Sequence, residues 1–119
     1  MKFIAQHDQM DCGPACLAMV SAYYKKEFSL QYLRQSCFIT REGVSLLNVK
    51  QAAEKIGFKT TAAQLEIRDI ENEMLPCILH WNQNHFVVLR KISKNLISGK
   101  KTYNIADPGH GLISISEEK

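Results

Sequence analysis

The apolar residues of this chain recur at helical spacing in its first half and come in short runs in its second. From Pro14 onward, Leu17, Val20 and Tyr24 fall on one helical face with Cys16 beside them, which predicts a helix running to Tyr24. Pro14 suits the first turn, where its missing N–H would have had no partner anyway. Ser29 is placed to cap a second short helix carrying Leu30, Leu33 and Cys37, because a serine oxygen can accept from the unpaired N–H groups of a first turn. Gly43 breaks the pattern. Ser45 then caps a third helix with Leu46, Val49, Ala53 and Ile56 along one side. Gly57 ends it, since glycine takes the left-handed conformation that closes helices.

After Gly57 the period changes. Residues 58–65 are expected to form a weak strand and 68–74 a helical turn closed by Pro76. Residues 77–81 read as a strand, and Asn82-Gln83-Asn84 as a turn. The clearest strand signal is 85–92, rich in Phe, Val and Leu. A polar loop with Ser98-Gly99 follows, then a strand over 103–106 that ends at Asp107-Pro108-Gly109, then a last short strand over 113–116. Helices first and strands afterwards predict an α+β fold, with N-terminal helices packed against a C-terminal antiparallel β-sheet.

A length of 119 residues fits one domain, 1–119, with one core. The net charge of +3 makes no case for a nucleic-acid partner. The nearest thing to a basic patch is Lys91, Lys94, Lys100 and Lys101 around the expected hairpin loop, and it reads as solvated lysines. The N-terminus turns polar at once, unlike a signal peptide, and no apolar run approaches membrane-spanning length. The cysteines at 12, 16, 37 and 77 do not form a dense disulfide framework and are expected to be reduced thiols in a cytosolic setting. Cys12 and Cys16 lie one helical turn apart, so Cys16 is expected in the core. As metal ligands they form a weak pair with no second compact pair to complete a zinc site. Ser98-Gly99-Lys100-Lys101-Thr102 lacks the upstream glycine and the Ser/Thr after Lys100 that a phosphate loop needs. No metal and no cofactor are therefore expected.

The chemistry starts at Cys12, where a polar loop meets an apolar helix. Unpaired N–H groups and the dipole at a helix N-terminus favour an anion, so the thiol there is expected to lean toward thiolate. Thiol attack on an amide needs a base, a group that orients the base, and donors for the oxyanion. Four histidines compete for the base: His7, His80, His85 and His110. His85 is favoured, because a turn becomes a buried strand there and can hold the ring rigidly at a cleft. If 85–92 and 103–107 are antiparallel neighbours, Asp107 lies near His85 and can fix its tautomer. A symmetric hairpin would put residue 88 opposite 107, so the loop or a bulge must absorb the difference. Gln6 is the candidate oxyanion donor, its side-chain amide beside the Cys12 backbone N–H.

These residues carry a resemblance. The Gln-x5-Cys spacing and the run Asp-Cys-Gly-Pro-Ala-Cys-Leu-Ala-Met within residues 6–19 resemble the bacteriocin-processing, double-glycine peptidase family. Its members are papain-like cysteine peptidase domains at the N-termini of peptide-exporting ABC transporters. The resemblance continues in Gly43-Val44-Ser45-Leu46-Leu47, in Ala52-Ala53-Glu54-Lys55-Ile56-Gly57-Phe58, in Trp81 with His85-Phe86-Val87-Val88-Leu89, and in Asp107-Pro108. It covers nearly the whole chain, and its first block is the most specific.

The resemblance implies a papain-like fold and cleavage of a leader peptide after a Gly-Gly pair, coupled to export. It implies Cys12 as nucleophile, His85 as general base and acid, Asp107 as the group that orients His85, and Gln6 in the oxyanion hole. The implied partners are the leader region of a precursor peptide and the transmembrane and ATPase domains of a parent transporter, at the cytoplasmic face of a bacterial inner membrane. With no membrane span or nucleotide-binding module of its own, the chain reads as an excised domain or a stand-alone peptidase, monomeric when isolated, and its end at Glu117-Glu118-Lys119 just after a strand favours excision. Three alternatives stay open: a leader-binding module without turnover, a zinc protein, and another papain-like thiol hydrolase or amide transferase.

Overall fold

The computed structural model describes residues 3–5, 12–37, 45–81 and 85–116. Gln6, His7, the break at Gly43 and the turn Asn82-Gln83-Asn84 lie outside the described residues. Helix α1 (Cys12–Tyr23) starts at the cysteine itself and is buried on nearly every side. Leu17 is covered and Val20 packs against the core, but Tyr24 stands half exposed with its ring edge-on to Phe58. The helix closes with Lys25 in the left-handed region at φ 64°. There Lys26 N–H donates to Ser21 O and Lys25 N–H to Ala22 O, a Schellman closure.

Helix α2 (Leu30–Ser36) is capped as expected, Ser29 Oγ accepting from Tyr32 N–H at 3.1 Å. Helix α3 (Leu46–Lys55) is capped by Ser45, whose Oγ accepts from Asn48 N–H at 3.1 Å. It closes through Gly57 at φ 107°, with Phe58 N–H on Ala53 O. The three helices put Leu17, Met19, Leu33, Val49 and Ala52 into one core with Cys16 and Cys37.

The expected strand over 58–65 does not form. From Thr61 to Glu66 every residue is exposed, so no apolar face exists to hold a strand against the sheet. Thr60 Oγ1 instead donates to Glu54 Oε2 at 2.7 Å. The helical turn expected over 68–74 is two 3-10 turns, Ile67–Asp69 and Asn72–Met74, with Ile70 buried between them.

Strands β1 (Cys77–Trp81), β2 (His85–Lys94), β3 (Lys101–Asp107) and β4 (Gly111–Ser116) form one antiparallel sheet in chain order. The last two are longer than their apolar runs predicted, because ladder hydrogen bonds extend pairing into polar residues. On β2, Phe86 and Val88 face the helices together with Ala106. Val87 and Leu89 face the other way with Tyr103 and Ile105, under a cover of Ile67, Ile70 and Leu75. A strand buried on both sides shows an unbroken apolar run rather than alternation.

One irregularity positions the site. Val88 pairs with Ala106 and Leu89 with Ile105, but Lys91 pairs with Asn104, so Arg90 is an extra residue on β2. Continued without this bulge, the outer register would set Val88 opposite Asp107. With it, Asp107 falls beside Val87 and on the same side of the sheet as His85, two residues along.

Candidate active site

His85 opens β2 and Asp107 closes β3, so the two ends meet at one edge of the hairpin. His85 Nε2 hydrogen-bonds Asp107 Oδ1 at 2.8 Å. That bond sets the ring plane and leaves Nδ1 for a second partner. Asp107 is 7% exposed, which is rare for a carboxylate unless its oxygens are satisfied. They are: Gly109 N–H donates to Oδ1 at 2.9 Å, and His110 Nδ1 lies 3.2 Å from Oδ2. Burial by itself would raise the Asp107 pKa. The Gly109 N–H, the His85 ring and His110 more than offset it and hold the carboxyl below its ordinary value.

Cys12 sits at the first position of α1, the helix that packs on β2. It is 3% exposed. The backbone N–H groups of Phe86, Gly13 and Cys12 itself favour its thiolate, as a helix N-terminus should. Burial outweighs them, with a smaller contribution from the Asp107 charge, and the thiol is pushed above its ordinary pKa. The expected lean toward thiolate is thus overturned: desolvation of the anion exceeds what the N–H groups return. At neutral pH the thiol keeps its proton until a base takes it.

The other thiols are quieter. Cys16 and Cys37 are wholly buried, as expected of Cys16, and none of the four cysteines is in a disulfide. Of the competing histidines, His80 lies across the β1–β2 pair from Phe86 and stacks on its ring, 4.5 Å between centroids. His110 was not chosen from sequence as a site residue, yet it shares Asp107 with His85. Its signal was present: an Asp followed three residues later by His, across a Pro-Gly turn. His85, Asp107 and His110 also bring three ligand atoms within 4.8 Å of one another, the donor set that could hold a metal ion. In the fold they satisfy each other by hydrogen bonds.

A thiol at a helix start, and an imidazole and a carboxylate bonded to each other on the neighbouring strand pair, are the parts of a thiol hydrolase. Residues 1–119 match the Peptidase C39 family. The chain belongs to that family. This C39 chain is 36% identical over 116 residues to the colicin V secretion/processing ATP-binding protein CvaB of Escherichia coli, covering 98% of this chain and 16% of CvaB. It is 35% identical over 123 residues to the transport/processing ATP-binding protein ComA of Streptococcus pneumoniae, covering 94% of this chain and 16% of ComA. It thus spans a small part of the length of these relatives.

Among solved structures, the C39 chain superposes with a TM-score of 0.83 and 36% identity on a double glycine motif protease from an AMS/PCAT transporter, crystallised with its leader peptide. That match covers 98% of this chain and 80% of the other. The peptidase domain of Streptococcus ComA gives a TM-score of 0.82 at 29% identity, covering 98% of this chain and 87% of that domain. The fold is therefore the papain-like peptidase fold of the family, and the protein is a cysteine peptidase.

Proposed function

We propose that this peptidase removes the leader of an exported peptide by cutting after a Gly-Gly pair, with Cys12, His85, Asp107 and Gln6 as its machinery. The observation that carries the reading is the 2.8 Å bond from His85 Nε2 to Asp107 Oδ1, at the strand end next to Phe86, whose N–H lies against the Cys12 sulfur. His85 takes the Cys12 proton as the sulfur attacks the carbonyl carbon of the second glycine. The tetrahedral oxyanion is held by the Cys12 N–H at the helix start and by the Gln6 amide. His85 then returns the proton to the leaving amine, and the C–N bond breaks to give a thioester. Water, deprotonated by His85, attacks the thioester, and the Cys12 thiol is restored as the leader carboxylate departs.

The burial of Cys12 supports the choice of glycine. A thiol 3% exposed admits a backbone with no side chains near the scissile bond more readily than any other. The leader would bind as a helix through i, i+3, i+4 apolar anchors. We place residues 1–119 as one domain of a longer transporter at the cytoplasmic membrane face, beside its transmembrane and ATPase domains, and monomeric when isolated. The relatives' names as secretion and transport/processing ATP-binding proteins support that placement.

The test is mass spectrometry of products after incubation, under reducing conditions, with a leader peptide carrying Gly-Gly. A single cut after Gly-Gly, absent with Cys12→Ala although that variant still binds the peptide, is the expected outcome. A cut elsewhere, or by the Cys12→Ala variant, or a bound leader left intact by the native chain, overturns the reading.

A further inference from the structure

The basic group around the β2–β3 loop is not explained by the candidate active site. It surrounds Leu96 and Ile97, both 99% exposed. A single exposed aliphatic residue is ordinary. Here two adjacent ones stand wholly out in water, in a turn where polar residues are the usual choice. The turn holds them there. Asn95 Oδ1 accepts from Ile97 N–H at 2.8 Å and from Ser98 N–H at 3.1 Å. Gly99 N–H donates to Asn95 O, and Asn95 N–H to Lys100 O, each at 2.8 Å. Gly99 takes φ 75°, which a side chain would strain. The backbone at the tip thus uses its own hydrogen bonds, and neither aliphatic chain folds back on the sheet.

The charge around the tip has one sign. From Arg90 to Asn104 the sequence holds five basic residues and no acid. Lys91, Lys94 and Lys100 are exposed, and Lys101 is half-buried with its Nζ 3.5 Å from Arg68 O. An acidic protein or a nucleic acid would meet the lysines but would leave the aliphatic pair in water. An anionic bilayer meets both: headgroup phosphates face the lysines while the acyl boundary takes the two side chains.

We propose that the β2–β3 hairpin tip is a membrane contact, with Leu96 and Ile97 entering the interface of an anionic lipid surface and Lys91, Lys94, Lys100 and Lys101 held against its headgroups. The geometry keeps the tip away from the candidate active site. At about 3.3 Å per residue, β2 carries its tip roughly 30 Å from His85 at its other end. Contact with a bilayer at the tip therefore does not obstruct peptide entry, and the proposal stands independently of the chemistry assigned to Cys12.

Co-sedimentation with vesicles tests it. The native chain should bind vesicles of phosphatidylglycerol mixed with phosphatidylcholine, release at high salt, and ignore vesicles of phosphatidylcholine alone. Each lysine near an anionic surface is worth about fivefold in affinity, so Lys94→Glu with Lys100→Glu should weaken binding by more than tenfold. Leu96→Ser with Ile97→Ser should weaken it by about tenfold while keeping all the charge. Both double variants alter exposed residues and should keep the native circular dichroism and cleavage of a soluble leader peptide. No binding to phosphatidylglycerol vesicles overturns the proposal. So does undiminished binding by the Leu96→Ser, Ile97→Ser variant, which would reveal a purely electrostatic surface of the kind that meets an acidic protein.

Discussion

Asp107 shows how much a single residue can carry. It is buried, charged, and bonded to two histidines and a backbone N–H. Its pKa is lower in the fold than in the unfolded chain, where an aspartate titrates near about 3.9. As pH falls through that range the unfolded state takes up the proton first, so stability is lost on the acid side and is fully present above it. Asp107→Asn should flatten this acid limb in thermal melts recorded below about pH 4. Activity separates the two roles at the dyad. On the proposed mechanism His85→Ala removes the proton carrier and should abolish cleavage, whereas Asp107→Ala should leave a residual rate, lower by about 10²–10⁴-fold. Equal losses would make Asp107 a structural residue first. The helix start at Cys12 and the pairing of His85 with Asp107 were legible in the sequence, because each residue stands at a boundary between a polar and an apolar segment. The raised Cys12 pKa was not legible, because desolvation depends on what α1 packs against.

At the scale of elements, caps and periods read well and edges did not. Ser29, Ser45 and Gly57 act locally, within one turn of their own position, and each does what its residue type predicts. Residues 58–65 failed as a strand because a strand needs a neighbour and a face, and nothing in eight residues of sequence supplies either. The Arg90 bulge is the sharper case. Sequence required some irregularity between β2 and β3 but could not locate it. Deleting Arg90 should remove it and leave both registers in place, because Leu89 opposite Ile105 and Lys91 opposite Asn104 then follow without a gap. Asp107 stays beside Val87, and Ile92 keeps to the face of Leu89. Cleavage should persist within about tenfold, the lost Arg90–Asn104 hydrogen bond lowering the melting temperature slightly. A folded ΔArg90 chain whose cleavage fell by about 10²-fold or more would show that the bulge shapes the site through its local twist and not through register alone.

For the molecule as a whole, the sheet serves two cores at once. Helices cover one face, and residues 67–75 cover the other. The same packing buries thiols on different elements. Burial pushes Cys37 up to about 12 and Cys77 up to about 11, and raises Cys12 and Cys16 as well. In the unfolded chain a thiol ionises near about 8.5. Above that pH the unfolded state sheds protons that the folded state keeps, so stability is intact below it and declines as pH rises. Denaturant unfolding between about pH 8 and 10 should show this decline, and Cys37→Ala should reduce its slope while costing some core packing. An alkaline limb unchanged by Cys37→Ala would place the effect on other groups.

By itself the sequence determined the α+β order of elements, the helix caps, the position of Cys12 at a helix start and the membership of His85 and Asp107 in one strand pair. All of these follow from short-range stereochemistry and from the period of apolar residues. Tertiary structure alone decided the Arg90 bulge that turns Asp107 to the His85 side, the sharing of Asp107 with His110, the loss of the 58–65 strand and the direction of the Cys12 pKa. Register, burial and desolvation are properties of surfaces brought together from distant parts of the chain, and no local window of sequence contains them.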